Sequence, residues 1–266
     1  MLISSLGLEQ AHLISLCGAG GKTTLMFSLA REFAASGERV LVTTTTKIAR
    51  DEAEGWLSFA ATATEQVLRN GRRLLPEAGR ERAGTVVVYS RVSEDGCRLI
   101  GFAPELVDDL AQAGRFDRIL VEADGSARKP LKAPAVHEPV IPSATQALII
   151  VAGISGLGQP LSEDNLFRAN IWSSLSGLAL GAPVSAESLA RNVIHPDGLA
   201  RGCPADARKI LFLNQADTPE RRAEATRVAR FLATAPTYTV ERAVIGCLLP
   251  QPSIADIVSF QRSFAT

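Results

Sequence analysis

The amino-acid sequence predicts an α/β protein: an open, doubly wound, mainly parallel sheet flanked by helices. Two observations carry that expectation. Short runs rich in Val, Ile and Leu, bounded by turn residues, recur along the chain with helical stretches between them, the pattern of strands covered on both faces. At 266 residues, 46% hydrophobic and 21% charged, the chain is long and apolar enough to bury a substantial core and far from disordered composition. One domain over 1–266 is expected.

His12 to Cys17 (HLISLC) reads as the first buried strand and Thr24 to Ala35 as a helix with Leu25, Leu29 and Phe33 on one face. Ser36-Gly37 ends that helix, and Arg39 to Thr43 is the next strand, closing a βαβ unit. From Asp51 to about Gly84 the chain turns polar and Arg-rich, with Pro76 and Gly79 as helix breakers. Residues 51–103 are therefore expected to form a peripheral insertion, in which Thr85–Tyr89 and Cys97–Phe102 flank Ser93–Gly96 as a hairpin at a sheet edge. Pro104 to Gly114 reads as a helix with Pro near its start and Gly near its end. Strands are expected at Arg118–Val121, Gln146–Val151, Lys209–Leu213 and Val240–Ile245, with helices at Glu163–Leu175 and Pro219–Ala233.

Lys plus Arg and Asp plus Glu number 28 each, so no global field favours nucleic acid or an anionic membrane, and any anion site must be local. The N-terminal residues lack a basic region followed by a small-residue cleavage site. No stretch approaches the roughly 18 unbroken apolar residues of a membrane span, so the cytoplasm is the expected compartment. Cys17, Cys97, Cys203 and Cys247 are scattered, without metal-ligand spacing. They read as small buried hydrophobes, with Cys17 set apart because it abuts a glycine turn.

That turn, Gly18-Ala19-Gly20-Gly21-Lys22-Thr23-Thr24, lies between the first strand and its helix. Backbone N–H groups and a helix N-terminus would converge on an anion there. Glycines permit positive φ and close approach of phosphate, Lys22 is placed to reach β and γ phosphates, and the Thr23 hydroxyl to ligate Mg²⁺. The loop is a compact version of GxxxxGK[ST], whose first glycine would fall at Leu16. A second constellation, Glu122-Ala123-Asp124-Gly125, ends the strand at 118–121, where ligands bind in open α/β sheets. Glu122 or Asp124 would hold Mg²⁺ and the other orient an attacking water. An acidic strand end facing solvent is the plainer reading, but carboxylates beside phosphate need a cation between them.

The basic, proline-bounded run 126–134 follows as a loop, offering Arg128, Lys129 and Lys132 to phosphate or an anionic substrate, with His137 beyond. Exposed loops often carry such cations for no ligand. A third element, Asn214-Gln215-Ala216-Asp217, resembles the guanine-reading N/T-K-x-D of GTPases. Asp217 could accept from guanine N1–H and the exocyclic amine, favouring GTP over ATP, although Gln215 stands where Lys is usual.

The order of these three elements resembles the SIMIBI class of P-loop nucleotide hydrolases. More narrowly, the runs CGAGGKTTLM (17–26), VLVTTTTKI (40–48), LVEADGSARKPLKAP (120–134), HEPVIP (137–142) and LNQAD (213–217) resemble the YqeC family, described as accessory proteins of selenium-dependent molybdenum hydroxylases. The resemblance implies a P-loop NTPase-like fold and a Mg²⁺-dependent nucleoside triphosphatase, with GTP or ATP as nucleotide, serving maturation of a metalloenzyme client or its cofactor. It also implies that Thr43 to Lys47 lie near the phosphates. Gly156–Leu161 and His195–Gly198 look like further family features, without chemistry assignable from spacing. Two other functions stay open: an ATP-dependent synthetase or transferase, since GAGGKTT is similar to the loop of Mur ligases, and a nucleotide-gated scaffold that does not hydrolyse. A homodimer is compatible with all three.

Overall fold

A computed structural model describes residues 1–75, 84–235 and 240–260. Its centre is a nine-stranded sheet in the order β14-β13-β12-β10-β1-β8-β2-β5-β4. The strands are β1 (Leu13–Gly18), β2 (Arg39–Thr44), β4 (Leu57–Ala60), β5 (Gly84–Tyr89), β8 (Arg118–Glu122), β10 (Ala147–Gly153), β12 (Arg208–Asn214), β13 (Arg242–Cys247) and β14 (Ser253–Ser259). All neighbouring pairs are parallel except β13 with β14.

Each central strand sends alternate residues to two cores. On one face Ile14, Leu16, Val40, Leu120, Ile149 and Phe212 pack with α1 (Leu2–Leu6) and α2 (Lys22–Ala35), through Leu25, Leu29 and Phe33 among others. On the other, Leu13, Leu41 and Ile119 meet α3 (Thr64–Leu74) and α4 (Pro104–Gln112). Further along that face, Cys17, Leu148 and Leu211 meet α5 (Ala169–Ser176), α6 (Ala186–Ile194) and α7 (Pro219–Ala233). Helices on both faces make the sheet doubly wound. Burial on both faces also explains why the strands read as continuous apolar runs.

Residues 51–103 divide between two sheets. β4 and β5 extend the main sheet beyond β2, while β3 (Lys47–Ala49), β6 (Arg91–Val92) and β7 (Arg98–Ile100) form a separate three-stranded sheet. The expected hairpin is corrected accordingly: Arg91–Val92, not Thr85–Tyr89, pairs with β7 across Ser93–Gly96, because the apolar TVVVY run is claimed by the buried parallel position beside β2. Pro76 and Gly79 lie outside the described residues. The helix expected from Glu163 starts only at Ala169. Leu166–Phe167 (β11) pairs instead with Leu131–Lys132 (β9), and the Glu163 carboxylate caps the helix by accepting from the N–H groups of Arg168 and Ala169 at 3.1 and 2.7 Å.

Because β1, β2, β8, β10, β12 and β13 run parallel, their carboxyl ends collect on one edge. The chain turns to one side of β1 through β8, β2, β5 and β4 and to the other through β10, β12 and β13. A crevice at that point of divergence is where ligands bind in such sheets.

Candidate functional site

The glycine turn sits at that edge. Gly18, Gly20 and Gly21 have φ of +94°, +85° and +121°, conformations that only glycine adopts readily. A Cβ on Gly18 would stand 2.2 Å from Val151 O, and one on Gly21 2.4 Å from Asn214 Nδ2. The glycines are thus demanded by the neighbouring strand ends as well as by any ligand. α2 begins at Lys22, directly after Gly21, so its positive end faces the turn.

Lys22 is buried, and its Nζ donates to Gly18 O at 2.8 Å. It stands 3.4 Å from Asp124 Oδ1 and 3.7 Å from Glu122 Oε1. Thr23 Oγ1 donates to Glu122 Oε2 at 2.7 Å, and Asp124 Oδ2 accepts from Gly18 N at 3.0 Å. The second constellation therefore meets the first as the parallel topology requires. Burial raises the Glu122 carboxyl, with Lys22 and Thr23 opposing. For Lys22, burial acts to lower its pKa, but the charges of Asp124 and Glu122 outweigh it and the net shift is upward.

The basic run after β8 separates into three different situations. Lys132 is sealed in the interior, donating to Gly125 O at 2.6 Å and pairing with Asp124 Oδ2 at 2.9 Å and Glu138 Oε2 at 2.6 Å. That corrects its reading as a phosphate-facing cation: a buried ammonium keeps its charge only among carboxylates. Arg168, at the start of α5, holds Glu138 from the other side. Burial acts to raise Glu138, but Arg168 and Lys132 outweigh it and bring the carboxyl down to about 2. Arg128 is exposed and pairs with Asp51 at 3.1 Å, and Lys129 Nζ donates to Asp164 O. Pro130 O, accepting from Gly153 N at 2.9 Å, lies 2.6 Å from where a Cβ on Gly20 would stand, so this loop packs against the glycine turn. His137 is exposed at its far end.

In the third element, Asn214 is buried and braces the turn: Nδ2 donates to Gly20 O at 2.7 Å while Oδ1 accepts from Leu248 N at 3.1 Å. Gln215, at φ +64°, accepts from Ser155 Oγ at 2.5 Å. Asp217 is exposed and pairs with Arg221 at 2.6 Å. The threonines that end β2 serve the scaffold, since Thr43 Oγ1 donates to Val88 O and Thr44 Oγ1 to Glu122 O, each at 2.7 Å. Cys17 is buried, donates to Leu199 O at 3.1 Å and has its thiol pushed up by burial, which makes it structural. Sequence reasoning missed Glu138 and Arg168 as members of the site.

The donor set fits a hard cation. Thr23, Glu122 and Asp124 offer oxygens only, and Asp124 Oδ1 is buried without a hydrogen bond despite the ion pair to Lys22. Among the described residues no three His, Cys, Asp or Glu side chains could cage a metal alone. Mg²⁺ suits such a place, because it keeps waters and phosphate oxygens as ligands and takes one or two carboxylates.

A strand, a turn of three positive-φ glycines, Lys-Thr opening a helix and two acids at the end of the adjacent parallel strand together define an α/β protein of P-loop fold. The family model described as YqeC protein matches residues 14–170. The uncharacterized protein YqeC of Escherichia coli (strain K12) is 33% identical over 255 residues, spanning 96% of this chain and 94% of that protein. The chain belongs to the YqeC family. It also aligns loosely with the crystal structure of FtsY from Mycoplasma mycoides, at TM-score 0.39 and 12% identity, over 94% of this chain and 63% of that one. No helix among the described residues is long and apolar enough to cross a membrane.

Proposed function

We propose that this protein binds a nucleoside triphosphate with Mg²⁺ on residues 18–24, hydrolyses it slowly, and acts in maturation of a molybdenum hydroxylase or its metal cofactor. The observation that carries the reading is the convergence of Lys22, Thr23, Glu122 and Asp124 within hydrogen-bond or ion-pair distance at the N-terminus of α2. Amides of the turn and the Lys22 ammonium would bind phosphate oxygens, Lys22 turning from Gly18 O and Asp124 toward the ligand. Thr23 with Glu122 or Asp124 would hold Mg²⁺, which supplies charge neutralisation on the triphosphate when bound. The carboxylate left over would orient water. GTP is favoured over ATP because Asp217, exposed beyond the end of β12 and paired at the surface with Arg221, would exchange that partner for a base with adjacent N–H donors. The client and the maturation role rest on the resemblance of the sequence runs alone.

Isothermal titration with GDP, ADP and their non-hydrolysable triphosphates, with and without Mg²⁺, tests the reading, together with turnover assays. Lys22→Ala should abolish binding. Parent-like affinity in that variant overturns the assignment.

A further inference from the structure

Lys22 already stands beside two carboxylates, Asp124 and Glu122, and a phosphate in the glycine turn would compete with both for its ammonium. Its ammonium now stands 3.4 Å from Asp124 Oδ1, and turning to a phosphate would leave that carboxylate, 1% exposed, in need of another counter-charge. We propose that Lys132 is a positioning residue that supplies this charge and so frees Lys22 for the ligand. The proposal rests on the phosphate-binding reading of residues 18–24.

The two oxygens of Asp124 divide the work. Oδ1 faces Lys22, while Oδ2 accepts from Lys132 Nζ at 2.9 Å and from Gly18 N at 3.0 Å. Departure of Lys22 leaves both Oδ2 contacts in place, and the carboxylate keeps its hold on the first residue of the glycine turn. Lys132 is itself held by Glu138 at 2.6 Å and Gly125 O at 2.6 Å, and Glu138 is tied in turn to Arg168. Three carboxylates (Glu122, Asp124, Glu138) thus meet three cations (Lys22, Lys132, Arg168). Loss of Lys132 would leave Lys22 as the one cation among the described residues paired with Glu122 and Asp124, and phosphate would have to compete with both for it. Arg128 and Lys129 lie at the surface instead, on Asp51 and Asp164 O.

The test is a double-mutant cycle in metal-free buffer, with fluorescent mant-GDP and mant-ADP as probes and thermal melts alongside to confirm folding. Lys132→Met should weaken the better-bound probe at least about tenfold, and Lys132→Arg should stay within about threefold of the parent. The pair Lys132→Met with Asp124→Asn should return to within about threefold of Asp124→Asn alone, because a neutral amide no longer competes for Lys22. A merely structural lysine would show no such rescue. Parent affinity in Lys132→Met, or a loss that Asp124→Asn does not relieve, overturns the proposal. Should Lys132→Met not fold, a neutral pair binding more than about tenfold below Asp124→Asn overturns it equally. A parent chain that binds neither probe refutes the phosphate-binding reading itself and this proposal with it, whereas binding without rescue refutes only the role of Lys132.

Discussion

Asn214→Ala should lower folding stability by about 2–6 kcal/mol. The figure follows from two hydrogen bonds made by one buried amide: Nδ2 to Gly20 O at 2.7 Å and Oδ1 from Leu248 N at 3.1 Å. Gly20 and Leu248 are themselves buried, so alanine leaves a carbonyl and an N–H without those partners. Each such group costs about 1–3 kcal/mol, and water entering the space would bring the sum toward the lower end. Asn214→Asp separates the two contacts, since it keeps an acceptor for Leu248 N–H but sets a carboxylate against the Gly20 carbonyl. It should be no milder than alanine at neutral pH. Urea denaturation followed by circular dichroism measures both variants. A midpoint shift equivalent to less than about 0.5 kcal/mol for alanine, with unchanged slope, refutes the claim that this amide ties β12 to the glycine turn.

Three further outcomes are expected. Glu138 has its folded pKa depressed from 4.5 to about 2, so its stabilising charge is fully present above about pH 4.5 and fades as pH falls toward 2; at ~1.4 kcal/mol per unit that is about 3 kcal/mol. The stability gap between the parent and Glu138→Gln, from urea titrations at successive pH values, should narrow on acidification, and a widening gap contradicts the ion-pair account. Gly18→Ala, at φ +94° and 2.2 Å from Val151 O, should lose at least about 1–3 kcal/mol through backbone strain, whereas Gly37→Ala, at φ +92° with nothing within 4 Å, lacks the steric component; equal melting temperatures for the two would refute the steric claim. Asp217→Ala should change stability by less than about 0.5 kcal/mol, as its pair with Arg221 is exposed, yet reduce GDP affinity at least about tenfold with ADP unaffected; equal effects on both nucleotides exclude a base-reading role.

The elements legible in the sequence are those whose signals are local. Pro219–Ala233 is a helix over the expected residues, with Thr218 capping Arg221 N and Pro at its first turn. The strands that read as apolar runs are the ones buried on both faces. β14 was not legible because it is an exposed antiparallel edge, SIADIVS, with polar residues interrupting its apolar ones. The start of α5 was not legible because its cap, Glu163, lies outside the helix, with the paired strand β11 between them.

The site divides along the same line. Gly18–Thr24 is one turn, and Glu122 and Asp124 reach it because β1 and β8 are adjacent parallel strands, a placement that strand-end composition and topology can supply. The fate of Arg128, Lys129 and Lys132 is different, because local composition makes the three alike. Burial of an ammonium requires carboxylates on more than one side, and of the three positions only 132 has them, Asp124 before it in the chain and Glu138 after it. The informative signal was therefore the acids flanking the basic run rather than the cations within it. An alternation of acid, lysine, acid and arginine at 124, 132, 138 and 168 is a connected ladder only if the chain folds back from β8 through β9 to α5. That return depends on Leu131 and Leu166, both 1% exposed, being drawn under the sheet. Hydrophobic burial of two leucines thus selects which lysine enters the site, a choice that charge patterning by itself could not make.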